Sequence, residues 1–532
     1  MLRSLHPLIF GAVIVLGAAM GVIAAEDGTD AAPRLSCKDL ARWIDAKFGG
    51  VPAEAARPVV DDATFLRRAS LDLLGSIPSI STTRDFLADE TDYKRDLFVE
   101  GVLGVAGQKS RLTDRNAEHM ARVWRRILVP GNGPSAMMAT RLDPWLKTQF
   151  AANVSYDKLA RTLVLARQET PSAESATPVG TVPAEGPLLL YEAVGATPEN
   201  LANSFSQTFL GVRIGCAQCH DHPFAEWKQQ DFWGMAAFFA GHSRGPMGEW
   251  TEVKVTKIIN PANSTEYSAR FLWGESPDFQ GDKLPRAVFA DWLTSPANPN
   301  FSATAVNRIW QYLCGRGLTD AVEDLDTDSP DERAVLYELA ELFEQQGYDV
   351  RWLMAGICES QTYQRACVSQ SLDSEPLPPG ARPVKTLLPE QVFDSLEQAM
   401  ALPVSKVDDS PRYNGQMGEL ITRWNETVGS TPEDFRGGVP QTLLLMNGQL
   451  VAKATDLKES RTLRAVVEAP FLDTEEKLDT LYLAAFTRLP KAEERDFLLQ
   501  HVRSHADVNA QKEAFGEIFW GLLNSPEFVL TR

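Results

Sequence analysis

Ala63-Thr64-Phe65-Leu66-Arg67-Arg68-Ala69-Ser70-Leu71-Asp72-Leu73-Leu74-Gly75 sets Phe65, Leu66, Ala69 and Leu73 at helical spacing and stops on a glycine, with Pro78 just beyond. A left-handed glycine after the last apolar position, followed closely by proline, marks a helix C-terminus. The same period recurs outward along the chain. It predicts helices near Tyr93–Leu103, Asn116–Leu128, Pro144–Phe150, Tyr156–Ala166, Gln229–Ala240, Glu475–Phe486 and Ala514–Leu523. Thr197-Pro198 opens a further helix running through Phe209 to a stop at Gly211, and Ser329-Pro330-Asp331-Glu332 opens another through Phe343. The fold class is mainly α.

A chain of 532 residues exceeds what one core usually organises. The periodicity divides it into a helical domain over 35–242, a β-containing connector over 243–284 and a second helical domain over 285–532. In the connector, Val253, Val255 and Ile258, then Tyr267, Ala269 and Phe271, alternate as short strands do. Gln168–Pro187 and Val404–Glu433 lack periodicity and read as loops. A hydrophobic fraction of 44% with 23% charged residues is ordinary for a globular chain. The net charge of −19 excludes the clustered basic surface that nucleic acid requires, so no nucleic-acid partner is expected.

Residues 1–25 read as a secretory signal: Arg3 precedes the apolar run from Leu8, and small residues around Ala24 and Ala25 suit cleavage. The alternative is an uncleaved anchor, since the 18 residues from Leu8 to Ala25 are just long enough to span a bilayer. Membrane contact is expected only in that case. The protein is expected to be exported, periplasmic or extracellular. Cys37, Cys314, Cys358 and Cys367 are candidates for disulfides or for small core hydrophobes, and sequence cannot pair them.

The chemically loaded run is Cys216-Ala217-Gln218-Cys219-His220. Two thiols three residues apart on one side of a turn suit alkylation by the two vinyl groups of a haem, and the histidine that follows suits the proximal iron position. Covalent attachment also suits an exported protein, which would lose a loosely held haem. The competing reading is zinc held by Cys216, Cys219, His220 and His222, which is a permissible donor set with crowded neighbours at 219 and 220. A redox dithiol is the third reading. Met235, Met247, His242 and His119 are candidates for a second axial position. Phe224, Trp227, Phe232, Trp233, Phe238 and Phe239 could wall a haem or form plain core. Arg68 and Asp72, at i and i+4, suggest an ion pair. Asn307, Arg308, Trp310, Arg316, Asp320 and Asp324 surround the turn Cys314-Gly315-Arg316-Gly317, either as a buried polar network or as an anion or sugar site.

Gly211-Val212-Arg213 leading into Cys216–Phe224, then Trp227, Gln230-Asp231-Phe232-Trp233 and Ala236-Ala237-Phe238-Phe239-Ala240, resembles the planctomycete-type secreted cytochrome-c-like domain family. Phe65-Leu66-Arg67-Arg68, Leu71-Asp72-Leu73, Gly75 and Pro78 resemble the start of that domain. Trp292-Leu293-Thr294, Val306-Asn307-Arg308, Gly315-Arg316-Gly317-Leu318, Gln361-Thr362-Tyr363-Gln364, Val439-Pro440-Gln441 and Leu523–Phe528 resemble the domain of unknown function that usually follows it. The resemblance implies export and haem c, with His220 as iron ligand. It supplies no reaction, substrate or redox partner protein. The additional modules of some relatives imply an association with polysaccharide use. The chain departs from the pattern at Cys314, where an aromatic is usual, and over 326–332, where a His-containing turn is usual.

Overall fold

The helix that opened the reading spans Asp62–Leu74 in the computed structural model. Asp61 caps it by accepting the Thr64 N–H, and Gly75 ends it in the left-handed region with φ +73° while donating to the Leu71 carbonyl. No side chain fits at Gly75, because a Cβ there would lie 2.3 Å from His119 Nδ1. Every position from Phe65 to Leu74 is buried, Arg67, Arg68 and Asp72 included. A helix buried all round is an interior element, and its charged groups must find partners inside the protein.

The structure describes residues 35–531 except 49–56, 106, 131–137, 168–185, 224, 246–248, 320, 326–329, 369–376, 378–379 and 402–448. The signal segment, most of the loop 168–187 and the loop Val404–Glu433 therefore lie outside the described residues. Among those described there are 22 helices and only two-stranded sheets, a mainly α fold. No described helix is long and apolar enough to cross a membrane.

Two cores organise the unit Leu35–Arg532. The larger takes in side chains from both sides of Pro285: Phe65, Trp124 and Tyr156 pack with Phe301, Trp310 and Phe343. Tyr156 stacks on Phe301 with ring centroids 5.0 Å apart. The second gathers the helices Pro389–Met400, Arg461–Glu468, Thr474–Phe486 and Val508–Leu523. Leu71 and Ile77 belong to this second core while Phe65, Leu66, Ala69 and Leu73 belong to the first, so one helix faces both. Arg67 reaches from it to the carbonyls of Ala485 and Phe528, both at 2.8 Å.

Two elements differ from the periodicity. The helix opened by Pro198 is α-helical only to Phe205, then widens into a π turn over Ser206–Leu210 before Gly211 stops it at φ +61°. The wider turn keeps Phe205 and Phe209 stacked, 5.7 Å between centroids, with both rings in the core. In the connector, Trp250–Glu252 pairs with His242–Arg244, and Lys257–Ile259 pairs with Glu266–Ser268. Ile258 and Tyr267 face each other as strand partners. Ala269 and Phe271 leave the strand and turn into the first core. A third pair, Lys385–Thr386 with Leu530–Thr531, ties the chain end to segment 382–386.

Candidate functional site

The run from Cys216 to His220 is held from behind by apolar anchors. Val212, Ile214 and Ala217 have no exposed surface, whereas Cys216, Gln218, Cys219 and His220 are exposed. Gly215–Gln218 forms a 3₁₀ turn capped by Cys219. Side chains at i and i+3 eclipse in that geometry, with about 6 Å of rise between them, so both thiols stand side by side on the solvent face. Neither is in a disulfide.

The carbonyls of the turn are held by the next helix, Gln229–Ala236. Trp233 Nε1–H donates to the Gln218 carbonyl at 3.1 Å, and the Gln229 side chain donates to the Cys219 carbonyl at 2.7 Å. In return, the Asp221 carboxylate accepts the Gln229 N–H at 3.0 Å, placing negative charge at the helix N-terminus, where it is stabilising. His220 Nδ1 lies 2.8 Å from the Asp221 carbonyl. A carbonyl can only accept, so Nδ1 carries the hydrogen and Nε2 keeps its lone pair in the neutral ring. His222 is used differently: its Nδ1 accepts the Ala225 N–H at 2.8 Å and its backbone N–H donates to the Trp227 carbonyl at 2.7 Å, closing the loop.

The zinc donor set Cys216, Cys219, His220 and His222 is not gathered. Among the described residues no group of three or more His, Cys, Asp and Glu side chains is placed to hold a metal ion. Cys216 and Cys219 are accessible thiols outside any disulfide, and His220 follows them with Nδ1–H committed to the Asp221 carbonyl. The axial candidates are engaged elsewhere or lie outside the described residues, as Met247 does. Met235 is fully buried in the first core. His242 stacks on Trp250 at 4.8 Å between centroids, and burial holds its pKa down to about 3. His119 bonds Tyr312 Oη at 2.5 Å, and burial, helped by Arg122, holds its pKa down to about 4. Phe232, Trp233, Phe238 and Phe239 are core, and Trp227 is half-buried against Trp273. Phe224 lies outside the described residues.

Behind the turn sits a polar lock that sequence reading missed. Glu323 takes Arg213 at 2.8 Å and is also bonded by Gln207, while Arg308 donates to the Gln207 carbonyl at 2.8 Å and the Thr208 carbonyl at 3.2 Å. These bonds pin the π turn and the segment 211–214 that enters the motif onto the helix Pro299–Cys314 and the turn that carries Glu323. Arg308, Arg213 and Gln207 hold the Glu323 carboxyl below its ordinary range against the opposing effect of burial. Asn307 closes the neighbouring turn through Thr319 and the Leu318 N–H, both at 2.7 Å, and Arg316 bonds the Leu377 carbonyl. The cluster around 314–317 is thus a buried polar network, with Asp320 outside the described residues. No local signal marks Glu323, because its hydrogen-bond partners Arg213 and Gln207 lie more than 100 residues away.

Residues 42–244 match the family model PSCyt2, described as a protein of unknown function (DUF1549), and residues 285–436 match PSD1, a protein of unknown function (DUF1553). The chain carries both domains, in that order. The thiol turn lies in the PSCyt2 segment, and the Arg308–Glu323 lock that backs it comes from the PSD1 segment. Neither description assigns an activity. No curated protein and no solved structure matches the chain significantly.

Proposed function

We propose that the chain is an exported c-type haem protein acting in electron transfer or in an oxidoreductase step, with Cys216 and Cys219 as the attachment thiols and His220 as an iron ligand. The observation that carries this reading is the turn itself. It presents two exposed thiols outside any disulfide, one 3₁₀ turn apart, followed by an imidazole whose Nδ1–H is committed to the Asp221 carbonyl. When bound, a haem supplies one-electron redox chemistry.

The chain's own residues position and expose the attachment groups. Ala217 anchors the turn, Trp233 and Gln229 fix its carbonyls, and Arg213 with Glu323 sets the angle at which the chain enters it. A carbonyl partner on Nδ1 holds the ring orientation and leaves Nε2 free to act as a ligand. The exposed face around Cys216 and His220 leaves room for an attachment enzyme and for a redox partner protein.

Expression of the full chain with a cytochrome c maturation system, followed by a pyridine haemochrome spectrum, tests the reading. A c-type band is expected that disappears in Cys216→Ser and Cys219→Ser. A wild-type protein without that band, carrying two alkylatable thiols instead, would sink the proposal.

A further inference from the structure

The helix Asp62–Leu74 carries a second concentration of charge, remote in sequence from the thiol turn. Asp72 is 1% exposed. Its Oδ1 accepts Lys385 Nζ at 2.7 Å and its Oδ2 accepts the Tyr363 hydroxyl at 2.8 Å. Lys385 also donates to the Tyr312 carbonyl at 2.6 Å. Arg382 lies against the same carboxylate, but at 3.7 Å from Oδ2, beyond hydrogen-bond distance, with its guanidinium 4.4 Å from the Tyr363 ring centroid. Asp72 is one negative charge facing two cations, and Lys385 holds it.

Arg382 is 2% exposed, and none of Nε, Nη1 and Nη2 has a hydrogen-bond partner in the protein. A guanidinium stays charged in proteins and brings five donors. Burying such a group with its donors unmet is costly even with a carboxylate 3.7 Å away. The nearby thiols do not supply the missing charge. Burial pushes Cys314 up to about 11 and Cys358 well above the ordinary thiol range, and the Cys367 S–H points to the Thr531 carbonyl at 4.0 Å. Arg68, also over the Tyr363 ring, adds positive potential on the same side chain. The main chain at Arg382 is held in place, its carbonyl accepting the Val368 N–H at 2.7 Å.

We infer that Arg382 forms a buried binding site for a small inorganic anion between the helix Asp62–Leu74 and segment 382–385, with Lys385 adding positive potential only, since its three donors go to Asp72 and to the Tyr312 and Leu313 carbonyls. Tyr363 and Cys314 close the site on the inside, and Lys385, with 18% of its side chain exposed, and half-buried Cys367 mark the side open to solvent. An anion there would fasten the PSD1 segment to the central helix of the PSCyt2 segment. It uses neither Cys216 nor His220, so it stands whatever the thiol turn binds.

The test compares thermal stability of the full chain in sodium chloride and in sodium gluconate at matched ionic strength. A saturable rise in Tm of about 2 °C or more is expected with chloride, as for any ligand that binds the folded state alone. Arg382→Met should remove the chloride dependence and melt higher than wild type in gluconate, because it deletes a buried guanidinium whose donors make no hydrogen bond. Crystals soaked in bromide should show anomalous density within hydrogen-bond distance of the guanidinium. Equal wild-type Tm in the two salts, an Arg382→Met protein that keeps the chloride increment, or bromide density absent from Arg382 would each overturn the inference. If Arg382→Met does not fold, the wild-type salt comparison and the bromide density still decide it.

Discussion

Asp72 and Glu359 are two buried carboxyl groups with opposite surroundings. Asp72 faces Lys385, 313 positions along the chain, and Arg382 beside it, while Tyr363, 291 positions away, donates to its other oxygen. From the local spacing it reads as the partner of Arg68, four positions earlier. Arg68 instead directs Nη1 to the Tyr363 and Arg365 carbonyls. A spacing rule sees only neighbours on one helix, and a helix buried on every side takes its partners from the whole chain. Glu359 has burial and then Asp96 and Glu100 acting on it, which push its carboxyl up to about 8, while Lys38 opposes them weakly. The folded protein therefore keeps a proton that the unfolded chain releases near 4.5. Stability from this group is present below about pH 4.5 and is lost as pH rises to about 8. Glu359→Gln should flatten this part of the profile, raising Tm at pH 9 relative to wild type while leaving pH 4 nearly unchanged. Parallel Tm–pH curves for the two proteins would refute it.

Among the elements, those with local stop signals were legible and those shaped by distant packing were not. Gly75 and Gly211 end their helices where the sequence places the stops, because a left-handed C-cap is encoded by the residue itself. The π turn at Ser206–Leu210 was invisible, since its cause is the need to keep Phe205 and Phe209 stacked while Arg308 takes the Gln207 and Thr208 carbonyls. The thiol turn is a mixed case. Its residues announce themselves in sequence, but the groups that hold it, Trp233 and Gln229, read as a haem wall or plain core and as the start of a helix. Trp233→Phe keeps an aromatic ring in the core and deletes the N–H to the Gln218 carbonyl. It should cost about 1–2 kcal/mol in urea unfolding and speed alkylation of Cys216 and Cys219 in the haem-free protein several-fold. Unchanged alkylation would show that Gln229 alone keeps the turn in place.

At the scale of the whole molecule, the periodicity divides the chain at a β-containing connector, whereas the packing joins across it. The first core mixes side chains from both sides of Pro285, and the helix Asp62–Leu74 also turns Leu71 toward the C-terminal helices. Hydrophobic patterning cannot distinguish two adjoining helical domains from one interlocked body, because each helix reports only that it has an apolar face. The interlock makes a definite prediction about a fragment of residues 35–436, which keeps both family-matched segments and omits the helices that follow. Such a fragment loses the Ala485 and Phe528 carbonyls that receive Arg67, and it loses Leu530–Thr531, the partner strand of Lys385–Thr386. It also strips Leu71, Ile77, Val392 and Leu396 of most of the second core. A buried guanidinium deprived of its acceptors costs about 3–5 kcal/mol before any apolar exposure is counted, which is a large share of the stability of an ordinary domain. The fragment should therefore aggregate or melt without cooperativity, while residues 35–532 unfold in a transition that is coincident by fluorescence and circular dichroism. A fragment that melts cooperatively at the temperature of the longer chain would mean that the C-terminal helices dock on an already complete body, and that Arg67 finds other acceptors without them.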